Sequence, residues 1–244
     1  MITLRKAKER HHDRRSKQET WFTFGAEAQN ASETHAFGAL EVFKEGRLPP
    51  RVSCPRQPHL DAEIVTYVRE GTLAYEDATG RSGLIEASEF QRMTVGRGIR
   101  YSETNASPTG WAHVFQIWLR PSDEGLTPGH EQKRFSIAAR SGVLCLVASP
   151  DARKGSLCIH QDAFLYSSIV AEGQHIIHDL SNERHAWIHV VDGQASLGAA
   201  VLGAGDGAGF SRERAVSLTA LAKTEILLVD LGASLVEPPD KQAG

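Results

Sequence analysis

The sequence predicts an all-β protein made of two antiparallel β-barrel (jelly-roll) domains, and three observations carry that reading. Short runs rich in β-branched and aromatic residues recur along all 244 residues, with turn residues between them and little that reads as helix. One unit occurs twice: Glu63-Ile64-Val65-Thr66-Tyr67-Val68-Arg69-Glu70-Gly71-Thr72-Leu73 is echoed by His185-Ala186-Trp187-Ile188-His189-Val190-Val191-Asp192-Gly193-Gln194-Ala195, each a strand, an acidic-Gly turn and a returning strand. The stretch from Gln57 to Asn105 sets polar side chains at strand parity, the pattern of a site inside a barrel mouth.

The elements follow in order. Arg5, Lys6, Lys8, Arg10, Arg14, Arg15 and Lys17 make the first segment locally basic, which reads as a solvated arm. Strands are expected at residues 20–24, 38–43, 63–68, 114–119, 144–148, 186–191 and 225–231. Gly71, Asp77-Ala78-Thr79-Gly80, Gly125, Gly193 and the glycine-rich 203–209 supply the breaks. Beyond each duplicated hairpin an acidic segment, 86–90 or 204–207, turns the chain toward its next strand. The expected division is an N-terminal domain of residues 1–135 that includes the basic arm, a C-terminal domain of 136–231, and a disordered polar tail of 232–244.

This length suffices for two modest domains, each with its own core. A formal charge of −3 gives no whole-molecule field for nucleic acid or an anionic membrane, so neither is expected as a partner. Cys54, Cys145 and Cys158 are far apart and form no C-x-x-C pair, which argues against a disulfide framework or a thiolate zinc site and fits a reducing cytoplasm. The start Met1-Ile2-Thr3-Leu4-Arg5-Lys6 runs straight into charge and no long apolar run follows, so neither secretion nor membrane spanning is expected.

Residues 57, 59, 61 and 63 share parity, as do Tyr101 and Glu103. Antiparallel pairing of these two segments is expected to bring Gln57, His59, Tyr101 and Glu103 together as a small-molecule site. Glu63 is read either as an additional carboxylate or as a hydrogen-bonded wall residue. The Gly96-Arg97-Gly98 turn is a weak phosphate signal without a following helix. Counting the same intervals from Gly193 lands on Asp179, Ser181 and residues 223–225, which do not make a nitrogen-rich metal shell. His185 and His189 sit in an apolar run and read as packing or solvent-facing residues.

The spacing Gly98-x2-Tyr101-x3-Asn105 resembles the second signature of the cupin superfamily, with tyrosine where histidine is expected. Gln57-x-His59-x3-Glu63 resembles the first signature, with glutamine in place of its leading histidine. Gln57-Pro58-His59, residues 63–68 and residues 90–103 together look like the pirin family, above all its bacterial quercetinase-like members. Phe115-Gln116-Ile117-Trp118-Leu119, Gln132-Lys133-Arg134-Phe135, Ser149-Pro150-Asp151-Ala152-Arg153, Gly155-Ser156-Leu157 and His160-Gln161-Asp162 are similar to the second part of those bicupins, and the resemblance spans residues 1–231.

The resemblance implies a metal-dependent bicupin whose N-terminal barrel holds iron or another divalent metal through three histidines and a glutamate, at positions 57, 59, 101 and 103 of this sequence. Some members open the central ring of quercetin with dioxygen, and the eukaryotic relatives act as nuclear cofactors of transcription regulators. Here only His59 and Glu103 are kept. A glutamine carbonyl is a weak neutral donor, and tyrosine binds strongly only as phenolate, from an ordinary pKa near ~10. Two function classes follow. The first is an oxygenase: a metal at His59 and Glu103, completed by Tyr101, Gln57 or water, ligates a flavonol-like enol while Glu103 takes its hydroxyl proton. The second, which the paired loss of imidazole favours, is a binder of small ligands or of a protein partner whose dioxygenase activity is lost or weakened. In it Gln57 and Tyr101 satisfy one another where the metal once sat, Glu103 pairs with Arg97 or Arg100, and Cys54 is either a redox handle or a free core cysteine.

Overall fold

The computed structural model describes residues 1–15, 17–25, 36–59 and 61–233, with backbone alone at 55–59. Its first half runs β1 (Ile2–Arg5), β2 (His11–Arg15), β3 (Gln18–Phe24), β4 (Leu40–Leu48), β5 (Ser53–His59), β6 (Glu63–Glu70), β7 (Thr72–Asp77), β8 (Ser82–Glu86), β9 (Glu89–Thr94), β10 (Ile99–Asn105), β11 (Ala112–Leu119) and β12 (Gly129–Arg134). A single helical turn, α1 (Ile137–Arg140), leads into β13 (Cys145–Ser149), β14 (Leu157–Cys158), β15 (Ala163–Val170), β16 (His175–Asp179), β17 (His185–Asp192) and β18 (Gln194–Leu197). The chain continues through β19 (Ala200–Gly203), β20 (Gly207–Ser211), β21 (Ala215–Ala220) and β22 (Thr224–Leu231). Each of the seven expected strands falls on one of these. Most of the expected tail lies outside the described residues.

Each domain is a jelly roll of two facing sheets and not a closed cylinder. The large sheets have seven strands, in the orders β12-β9-β6-β11-β4-β3-β2 and β1-β20-β17-β22-β15-β13-β14; the small ones have four, β5-β10-β7-β8 and β16-β21-β18-β19. The two halves match strand for strand, β6 with β17, β11 with β22 and β10 with β21. The exception is informative. Strand β1 leaves the N-terminal half and pairs antiparallel with β20, Ile2 opposite Phe210 and Arg5 opposite Gly207, closing the edge of the second large sheet where β12 closes the first.

The basic segment is therefore not a free arm. Its start is a sheet edge, the Lys6 ammonium lies 2.9 Å from Asp206, and Arg10 is paired at 2.7 Å with Glu45. Pairing an edge strand removes a row of open backbone donors and acceptors.

The large sheets stack against each other, so both of their faces are buried. Alternation assigns the sides: Val65, Tyr67, Phe115, Ile117, Trp187, Leu227 and Val229 share the seam between domains, while Ile188, Val190, Ile226 and Leu228 fill the second jelly roll. Burial on both faces explains why residues 64–68 read as an unbroken apolar-rich run. Strands of the small sheets expose one face and alternate, as β21 does. Among the described residues no helix is long and apolar enough to cross a membrane.

Candidate functional site in the N-terminal jelly roll

Strand β10 carries the site because it lies between β5 and β7 and turns alternate side chains into the sandwich. Tyr101 is 6% exposed and packs with Ala62, Ile64, Met93, Val95 and Ile99. The β5 backbone runs antiparallel beside it, with Gln57 opposite Tyr101 and His59 opposite Ile99. A shift in register then places Cys54, not residue 55, opposite Glu103. Pro55 and Pro58, which cannot donate to a ladder, are tolerated because β5 is the sheet's edge. The backbone thus sets positions 57 and 59 alongside 99 and 101. The side chains of Gln57 and His59 lie outside the described residues.

Glu103 is half-buried and finds a partner that sequence reading missed. Gln116 Nε2 donates to Glu103 Oε1 at 2.7 Å and lies 3.2 Å from Thr66 Oγ1. Arg97 instead donates from Nε to the Gly125 carbonyl and Arg100 faces solvent, so neither pairs with Glu103 as one reading expected. Burial pushes the Glu103 carboxyl up, and the Lys44 ammonium and Gln116 amide pull it partly back. Burial and the neighbouring Glu103 hold Tyr101 well above the ordinary phenol value, so it stays a neutral phenol. Gln18, Thr20, Lys44, Cys54, Glu103 and Gln116 line a cavity of about 40 Å³. That is room for one or two small atoms or waters. A polar glutamine inside the apolar-rich run of β11 was the available signal for this constellation.

Two expectations are corrected. Of the two readings of Glu63 the hydrogen-bonded wall residue holds and the additional pocket carboxylate does not: Asp61, at φ +40, turns the chain between β5 and β6, so strand parity starts afresh. Glu63 is fully buried on the seam side, one oxygen 3.1 Å from His160 Nδ1 and the other without a hydrogen-bond partner among the described residues. In the second copy, Asn105 stands opposite Leu73 and Ala220 opposite Ala195, so Tyr101 and Glu103 correspond to Val216 and Leu218, not to residues 223–225. The same register matches Gln57 with His178 and not with Asp179. Val216 and Leu218 are buried in apolar core, and His178 is held 2.7 Å from Asp230.

Other readings resolve into structure. Cys54 is half-buried, accepts a 3.3 Å contact from Gln18 Nε2, and burial pushes its thiol up, so it is a packed thiol and not an activated one. His185 lies 3.1 Å from Ser211 Oγ, and His189 is buried in the seam.

The donor set at the four positions does not suit a tightly held transition metal. One imidazole, one carboxylate already bonded to Gln116, one amide and one phenol kept neutral do not make the nitrogen-rich shell that nickel or iron prefers. Lys44 lines the cavity that Glu103 borders, and its ammonium opposes a cation there further. The residues present do not fit that group.

Known proteins resemble this chain along nearly its whole length. A family model described as Pirin matches residues 3–119, and one described as Quercetinase C-terminal cupin domain matches residues 146–231. A quercetin 2,3-dioxygenase of Escherichia coli (strain K12) is 38% identical over 231 residues, which is 95% of this chain and 99% of that protein. A pirin-like protein of Caulobacter vibrioides is 33% identical over 195 residues, 80% of this chain and 84% of its own. The crystal structure of the bacterial pirin YhhW of Escherichia coli in complex with nickel(II) superposes with a TM-score of 0.88 at 38% identity, covering 96% of this chain and all (100%) of the other. Strand order, duplicated halves and matches in both domains agree, and the chain belongs to the pirin family of bicupins.

Proposed function

We propose that the N-terminal jelly roll binds a flavonol-like enol and deprotonates it, with Glu103 as the proton acceptor, and that the enolate so formed is the species that reacts with dioxygen in a quercetinase-type ring opening. The names of its relatives back this reading better than a purely regulatory one. The observation that carries it is the carboxylate itself: Glu103 borders a small cavity of mixed lining with room for the hydroxyl end of a ligand, and burial raises its carboxyl above the ordinary value. In the step assigned to this chain, the enolic O–H bond breaks, the proton passes to Glu103, and the substrate keeps the electron pair as an enolate. Gln116 holds one carboxylate oxygen and leaves the other to accept. Tyr101 and its apolar neighbours exclude water from one side.

A second reading rests on Gln57 and Tyr101: with two imidazoles replaced, the pocket binds its ligand without turnover. One experiment separates the two. Quercetin binding is followed by fluorescence and oxygen uptake by electrode, in protein supplied in turn with Ni(II), Fe(II), Co(II), Mn(II) and Cu(II). Uptake that disappears in Glu103→Gln supports the oxygenase reading. Binding without uptake under every metal transfers the assignment to the second, and absence of binding overturns both.

A further inference from the structure

Lys44 is an unusual residue for the inside of this sandwich. On β4, Phe43 faces the seam and the alternate residues Lys44, Gly46 and Leu48 line the inner cavity with Glu103 and Gln116. Lys44 stands directly opposite Gln116 in the β4–β11 ladder, and Gln116 is the residue that holds Glu103. The Lys44 ammonium is anchored over an aromatic face, its Nζ 5.1 Å from the centre of the Trp118 ring. Cation–π attraction of this kind holds a lysine charge in place without an acidic partner. A fixed positive charge thus sits in the cavity of the one carboxylate left from the expected metal shell.

We propose that Lys44 is the resident cation of this pocket: it balances Glu103, repels a divalent ion, and suits the pocket to a ligand bound as its phenolate or enolate. Gln57, Tyr101 and Lys44 then form one pattern. With Gln57 and Tyr101 in place of imidazoles the grip on a metal is weak, and the lysine supplies positive charge that a metal would otherwise bring. Coulomb repulsion between an ammonium and a divalent ion a few ångströms apart in a partly desolvated site is large enough to shift affinity by at least about tenfold. The anionic-ligand part deepens the proposed function, whereas the repulsion of a divalent ion rests on Lys44 and Glu103 lining one cavity, so a Ni(II) measurement without substrate fails independently of the flavonol reading.

The test is Ni(II) titration by calorimetry, with no substrate present, on the wild-type protein, Gln57→His/Tyr101→His, and that pair combined with Lys44→Met or Lys44→Arg. Lys44→Met keeps the aliphatic stem and loses the charge; Lys44→Arg keeps the charge. The expected result is that Lys44→Met tightens Ni(II) binding by about tenfold or more over the histidine pair alone, while Lys44→Arg leaves it within about threefold. Should the methionine variant not fold, as judged by circular dichroism, Lys44→Gln replaces it. Equal Ni(II) affinity with and without the charge, or tightening by arginine as large as by methionine, overturns the proposal.

Discussion

Gln116 decides what Glu103 is able to do. Its amide is 2% exposed and donates at 2.7 Å to a carboxylate that burial already penalises. A hydrogen bond to a charged group contributes more than a neutral one, so Gln116→Leu is expected to destabilise the protein by about 2 kcal/mol. In a Glu103→Gln background the same change is expected to cost under about half as much, because the charge it served is gone. Urea denaturation of the four proteins closes this cycle; a coupling near zero would show that the contact has no energetic weight. The residue scale is also where sequence reading succeeded least. Glu103 and Tyr101 were singled out from their spacing, whereas Gln116, Thr66 and Lys44 come from other strands, and only the sheet order brings them to β10. Glu63 is hydrogen-bonded, as one of its two readings had it, but the face it shares was misread because parity was carried through a left-handed residue, Asp61, that no alternation pattern reveals.

At the scale of elements the duplicated hairpin is the most legible feature, and its glycines show why. Gly71 and Gly193 both adopt positive φ, +81 and +85, at equivalent turns. A Cβ on Gly71 would lie 2.6 Å from the Trp111 carbonyl oxygen, and one on Gly193 would lie 2.3 Å from that of Lys223. Each glycine packs against the start of the partner strand, β11 or β22, so neither conformation nor space admits a side chain. Gly71→Ala and Gly193→Ala are each expected to cost more than about 1 kcal/mol, and thermal melts would show similar losses in both. A neutral result at either glycine would refute the equivalence of the hairpins. The echo stopped being readable beyond the hairpin because the second copy is shorter between its glycine and β21. Fixed intervals therefore overshot to residues 223–225. The swap of β1 into the second sheet was equally hidden, since its partner β20 is distant in sequence and strand propensity does not name a partner.

The whole molecule is held at a seam that is apolar in its middle and carries buried titratable groups. Glu45 is bonded to His113 Nε2 at 2.7 Å and to Arg10 at 2.7 Å. Its carboxyl is penalised by burial, but the His113 and Arg10 contacts outweigh that and hold it at about 2. Beside this cluster His189 is fully buried against Phe43, with ring centres 4.5 Å apart, and neither ring nitrogen has a hydrogen-bond partner among the described residues. Burial, reinforced by the Arg10 charge, drives its pKa from 6.5 down to about 3. Both shifts act in the same direction with pH. His189 is neutral when folded, so the unfolded chain takes up its proton first, and stability present above pH 6.5 is lost as the pH falls toward 3. Glu45 has a depressed folded value, so its contribution is present above 4.5 and is lost as the pH falls toward 2. Acid unfolding is therefore expected in two stages, histidine first. Between pH 7.5 and pH 5 the His189 stage amounts to roughly 2 kcal/mol. His189→Leu removes the titrating group and leaves apolar contact with Phe43, so its stability difference between those two pH values is expected to be smaller than wild type by that amount. Glu45→Gln breaks a buried ion pair and is expected to cost about 3 kcal/mol at pH 7.5, a deficit that shrinks as the pH drops below 4. Urea midpoints measured at pH 7.5, 5 and 3.5 on the three proteins test this seam. A His189→Leu protein that keeps the full wild-type loss between pH 7.5 and 5 would move the acid sensitivity away from the domain interface.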